Sequence, residues 1–123
     1  MRGTVGLASE LDCGCANVYC TMACPGASLY RRGVDEGWPL PDSWTAYSQH
    51  AIDSLPLPTR HLPATEVLAF RDKAFQAYFD RPEYRAMLAE RFDEGTVQHV
   101  QAMTARKLIR RPSAPAACAS RTL

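Results

Sequence analysis

Apolar positions along the chain change period as it proceeds, and each period predicts an element. Residues 16–24 alternate: Ala16, Val18, Cys20, Met22 and Cys24 form one face, and Asn17, Tyr19, Thr21 and Ala23 the other. Period two predicts a β-strand, running into a turn at Pro25-Gly26. Before it, residues 4–12 can end a helix. After it, SLYRRGVDE predicts a short helix with Ser28 as a possible cap and Gly37 as its stop. From residue 64 the period is helical. ATEVLAFRDKAFQAYF places Val67, Leu68, Phe70, Ala74, Phe75, Tyr78 and Phe79 on one broad apolar face. A second helix is predicted to open at Asp80, where DRPE offers a capping box with Pro82 early and Glu83 three residues after the cap. Its stripe is Tyr84, Met87, Leu88 and Phe92, and Gly95 suits a left-handed exit. A third helix is expected over 96–110 on Val97, Val100, Met103, Leu108 and Ile109. Arg106, Lys107, Arg110 and Arg111 crowd its end, where cations complement the helix dipole.

Proline sets the organisation. Pro39, Pro41, Pro56, Pro58 and Pro63 make residues 38–63 a long irregular loop, since proline removes an amide donor and fixes φ. It separates residues 1–37 from a helical stretch, 64–111. Residues 112–123, PSAPAACASRTL, carry no pattern and are expected to be disordered. The fold class predicted is mostly α with one β-strand. A lone strand leaves both backbone edges unpaired. Helix, strand and helix in that order are what the last βα unit of a partial (β/α) barrel presents, with a helical C-terminal extension behind it.

Charge and composition exclude several roles. The net charge of +1 on 123 residues offers no strongly basic face for nucleic acid. No run of roughly 18 apolar residues predicts a membrane span. The N-terminal MRGTVGLASELD lacks the apolar stretch of a signal peptide, so a cytoplasmic, reducing location is expected, and five cysteines are not read as a disulfide framework.

Four of those cysteines fall in CGCANVYCTMACPG, spaced C-x-C-x4-C-x3-C. A zinc ribbon or knuckle needs C-x2-C claws, which are missing. On a strand, Cys20 and Cys24 would stand about 13 Å apart at the ordinary rise per residue, too far to share an ion. No metal site is predicted, and a small thiolate metal protein is retained as a lesser alternative. His50 and His61 have no acidic partner at a useful spacing. No phosphate-binding loop and no Ser-His-Asp arrangement can be argued.

The stretch NVYCTMACPGASLYRRGVDEGW resembles the last strand, turn and last helix of the barrel in radical S-adenosylmethionine enzymes, where a segment of the form YPGSxLY closes the barrel. WTAYSQH, LPLPTRHL and EVLAFRDKAFQAYF, in that order, resemble the C-terminal extension of the cobalamin-binding subgroup. The resemblance covers nearly all of residues 4–111. Cys24 stands where the family usually has an aromatic residue, and Ala27 where it has Ser or Thr. The family holds a [4Fe-4S] cluster on a C-x3-C-x2-C loop, cleaves S-adenosylmethionine to a radical and binds cobalamin in an N-terminal domain. The match begins near the fifth barrel helix, and neither the cluster loop nor the cobalamin domain is present in these residues.

The resemblance implies a C-terminal fragment of a cobalamin-dependent radical enzyme for methylation or rearrangement, inactive alone and carrying no cofactor of its own. The missing barrel, as a separate chain, would be its partner. The alternative is a non-catalytic helical subunit pairing with a separately encoded barrel. No nucleic-acid or membrane partner is expected. If the apolar face of the strand meets helices, Asn17, Tyr19 and Thr21 face the barrel lumen. Tyr47 and Gln49, in the polar and aromatic loop WTAYSQH, would lie over the same cavity.

Overall fold

The computed structural model describes residues 2–111; the tail expected to be disordered lies outside them. Five helices make up the regular structure: α1 (Arg2–Glu10), α2 (Ser28–Asp35), α3 (Ala64–Phe79), α4 (Pro82–Arg91) and α5 (Glu94–Ala105), with a 3-10 turn at Thr45–Tyr47. Among the described residues there is no strand, so the expectation of one β-strand closing a partial barrel is overturned: this is a small all-helical fold. The alternation is nevertheless present in burial over 16–22, and it stops there: Ala23 is buried and Cys24 exposed, the reverse of the expected faces. Ala16, Val18, Cys20 and Met22 are half-buried, and Asn17, Tyr19 and Thr21 are exposed. An extended chain alternates its side chains whether or not another strand lies beside it. A strand also needs a ladder, and here side chains take its place.

The residues divide into two compact units. The first contains 2–19 and 70–108, the second 20–69 and 109–111; α3 gives residues 64–69 to the second and 70–79 to the first.

In the first unit the core is Tyr78, Phe79, Tyr84, Met87, Leu88 and Val97, with Ala8, Ala16, Phe75, Val100 and Met103 packed against it. Its centre is aromatic. The Tyr78 and Phe79 rings meet edge-on at 5.1 Å, Phe79 and Tyr84 at 5.3 Å, and Phe75 and Phe79 at 4.8 Å. Tilted and edge-on contacts at these separations suit the ring quadrupoles. The α4–α5 connection corrects several expectations. Asp80 does not cap α4; the N-cap is Arg81, without a side-chain bond, and Pro82 begins the helix. Asp80 instead accepts from Arg85 at 2.9 Å. Asp93 supplies the side-chain cap one helix later, accepting from the Thr96 amide at 2.6 Å. Gly95 therefore lies inside α5 and has no positive φ. Phe92, expected in the buried stripe, is 63 % exposed. α5 stops at Ala105, leaving Leu108 and Ile109 exposed beyond it.

In the second unit, Pro25 and Gly26 form the predicted turn. The Ala27 amide donates to the Cys24 carbonyl at 3.1 Å, and Gly26 has φ 89°, which the third position of a type II turn requires. The N-cap of α2 is Ala27, with no side-chain bond, so Ser28 is its first residue and not its cap. Gly37 ends the helix as predicted, at φ 67°. The Gly37 amide donates to Val34 and the Trp38 amide to Gly33 at 2.8 Å, the paired bonds of a Schellman motif. The motif folds Trp38 and Leu40 over buried Gly33, where an added Cβ would stand 3.1 Å from the Trp38 ring. No helix among the described residues is long and apolar enough to cross a membrane.

Candidate functional site

The residues expected to line a cavity all lie on, or close to, the extended segment and the loop after α2. In the first unit, the backbone of the segment is held by side chains of α3 and α4. The Tyr78 hydroxyl donates to the Cys13 carbonyl at 2.5 Å and the Tyr84 hydroxyl to the Gly14 carbonyl at 2.8 Å. Arg71 Nε donates to the Val18 carbonyl at 3.0 Å. Arg71 is only 4 % exposed, and its charge is met by Asp72 at 2.9 Å and by the face of Phe75. Both tyrosine hydroxyls are pushed up from the ordinary range, chiefly by burial. Nearby Arg81 opposes the shift; Cys15 and Asp12 add to it at both rings, and Cys13 adds to it at Tyr78. Arg81 organises the start of the segment: it lies 4.7 Å over the Tyr78 ring, donates to the Ser9 carbonyl at 2.7 Å and pairs with Asp12 at 3.0 Å. Asp12, at φ 44°, is the one non-glycine residue with positive φ among those described.

Asn17 and Tyr19 lie on the same segment. Both are exposed, Tyr19 by 61 %.

In the second unit, Gln49 grips Cys20. Its Oε1 accepts from the Cys20 amide and its Nε2 donates to the Cys20 carbonyl, each at 3.0 Å. Its own carbonyl accepts from Arg110 Nη2 at 2.9 Å, while Arg110 Nη1 donates to the Ala51 carbonyl at 2.8 Å. The neighbouring Thr21 carbonyl accepts from the Leu57 amide at 3.0 Å, and the Thr21 side chain is exposed. Cys20 is half-buried, with its thiol 3.8 Å from the Val67 carbonyl. Tyr47 donates to the Pro41 carbonyl at 3.4 Å and sits beside Trp44, which is 79 % exposed. Burial raises the Tyr47 pKa, with Tyr30, Cys24 and Asp42 adding to the effect. In the same loop Asp53 accepts from Ser43 and Thr45.

The five candidate residues thus take different positions. Gln49 contacts the segment bearing Thr21, Tyr47 is occupied within its own loop, and Asn17 and Tyr19 face solvent. No sequence motif marks Arg71 or Arg81, Tyr78 and Tyr84 read as apolar packing only, and Arg110, expected as a cation at the end of the third helix, lies beyond α5, which stops at Ala105. A signal for Arg71 exists: it falls in register with Val67, Ala74 and Tyr78 on the buried stripe of α3. A cation at such a position needs a buried acceptor.

The cysteines do not fit an iron–sulfur cluster. Their spacing is not C-x3-C-x2-C. Cys13, Cys15 and Cys24 are free and exposed, and among the described residues no three potential ligands gather around one point. His50, His61 and His99 are likewise exposed. In each unit the segment's backbone is held by side chains, with Asn17 and Tyr19 exposed in the first and Thr21 in the second. Compared with known proteins, the chain matches no family model, no curated protein and no solved structure.

Proposed function

We propose that these 123 residues are a C-terminal portion of a cobalamin-dependent radical S-adenosylmethionine enzyme and that the chain alone does not carry out its chemistry. The reading rests on the ordered similarity of NVYCTMACPGASLYRRGVDEGW, WTAYSQH, LPLPTRHL and EVLAFRDKAFQAYF to that subgroup. The cysteine spacing supports the second half: no cluster-binding loop is present in these residues. The parent reaction would be methylation or rearrangement at an unactivated carbon. The test is anaerobic expression followed by assay for iron, acid-labile sulfide and reductive cleavage of S-adenosylmethionine. The expected result is none of the three; a stoichiometric cluster with turnover refutes the proposal.

A second reading makes the chain a working non-catalytic subunit whose partner is the barrel encoded as a separate chain. The observation favouring it is that Asn17, Tyr19 and Thr21 are each exposed. Co-expression with the product of the adjacent upstream frame separates the two. A complex that survives gel filtration and restores turnover to that product marks a subunit; independent elution of the two chains excludes it.

A further inference from the structure

We propose that Cys13 and Cys15 form a two-thiolate site for a soft monovalent metal ion, copper(I) being the ion of choice. This goes beyond the enzyme reading and does not depend on it. Both thiols are free and exposed. The loop that carries them is nonetheless fixed. α1 ends just before it, Asp12 turns the chain at φ 44°, and the chain bends at Gly14. The carbonyls of Cys13 and Gly14 are tied to the Tyr78 and Tyr84 hydroxyls. Exposed side chains on a clamped backbone bind with less ordering to lose than the same residues on a mobile loop.

The spacing suits two ligands and no more. The Cα atoms of residues i and i+2 are at most about 7 Å apart. A bend at Gly14 brings them closer. Taking the zinc–thiolate bond of about 2.3 Å as a guide, a linear S–metal–S unit spans about 4.6 Å. Flexible thiol side chains can reach that separation from such a backbone.

The ligand count selects the ion. Zinc in a structural site takes four ligands, and among the described residues no third His, Cys, Asp or Glu completes a set here. Asp12, the adjacent carboxylate, is engaged by Arg81 at 3.0 Å. Two soft thiolates with no hard ligand favour copper(I). Binding releases both thiol protons and leaves a complex of one net negative charge. Arg81, paired to the residue next to Cys13, supplies a cation on that side.

The experiment uses the full reduced chain under anaerobic conditions, titrated with copper(I) held by a chromophoric bicinchoninate-type chelator. One copper per chain should be withdrawn. Cys13→Ser and Cys15→Ser should each abolish retention, while Cys20→Ser, Cys24→Ser and Cys118→Ser retain it. Both target residues are exposed, and circular dichroism verifies that the variants fold. Alkylation read by mass spectrometry gives an independent measure: copper should protect Cys13 and Cys15 alone. Failure to withdraw copper, full retention in Cys13→Ser or Cys15→Ser, or one copper shared by two chains each overturns the proposal.

Discussion

Gln49 meets Cys20 as one edge of a strand meets another: its side-chain amide takes both the amide and the carbonyl of that residue, at 3.0 Å each. A carboxamide carries the same donor and acceptor as a peptide group, so it can complete one rung of a ladder without a second strand. The grip is specific to glutamine. Gln49→Ala should lower stability by about 2 kcal/mol, roughly 1 for each bond lost. Gln49→Glu should do no better, because it loses the donor. Urea denaturation gives the loss, and hydrogen exchange at the Cys20 amide shows whether it arises there.

Arg71 is buried and bonds the Val18 carbonyl. Arg71→Met fills the volume but removes the Arg71 bonds to that carbonyl and to Asp72. A loss of about 2–3 kcal/mol is expected, the range for hydrogen bonds to charged groups. Arg71→Lys should recover little, since an ammonium cannot reproduce the planar fork. Chemical denaturation of the two variants checks both values.

Tyr78 and Tyr84 carry pKa values raised above the ordinary tyrosine value, first by burial. Raised folded-state values mean that the neutral hydroxyls stabilise the fold fully below the unfolded pKa of about 10. That contribution is lost as pH rises through the folded values. Stability should therefore fall on the alkaline side. Tyr78→Phe and Tyr84→Phe should each cost about 1–2 kcal/mol at neutral pH, for a buried carbonyl left unpaired, and together flatten the alkaline slope. Denaturation midpoints between neutral and strongly alkaline pH test this.

Asp93 has the opposite sign. Its pKa is lowered first by the Thr96 backbone bond, with the Thr96 side chain also contributing. The ionised cap stabilises α5 above the unfolded carboxylate pKa of about 3.9 and loses that effect as pH falls through its lower folded value. Asp93→Asn keeps an acceptor but does not titrate, so it should retain most helix content while removing this part of the acid dependence. Asp93→Ala should lose both. Circular dichroism over an acid titration distinguishes the three.

Much of the helical layout was legible. The period of 64–79 located α3, and Gly37 and Pro25-Gly26 marked the turns that use them. These are local signals, readable because a positive φ or a helical stripe depends on few neighbours. The alternation over 16–24 was read as a strand, and no strand forms there, because pairing is a property of what lies alongside; even the alternation in burial ends at Met22. The cap was misplaced for a related reason. Asp80 and Asp93 both stand before helical stretches, yet Asp80 pairs with Arg85 and only Asp93 reaches an amide. Gln49 was singled out for a polar loop and serves as a backbone clamp. Arg71 and Arg81, which fix the segment, bind carbonyls that no residue pattern advertises.

The three carbonyls of Cys13, Gly14 and Val18 answer to three different codons, those of Tyr78, Tyr84 and Arg71. A β-ladder is indifferent to most substitutions, since its bonds belong to the main chain. Here, inheritance of the segment's path depends on particular letters far downstream. Mutational drift at these three positions should therefore be tolerated less than at the exposed Asn17 and Tyr19, even though those two sit on the segment itself.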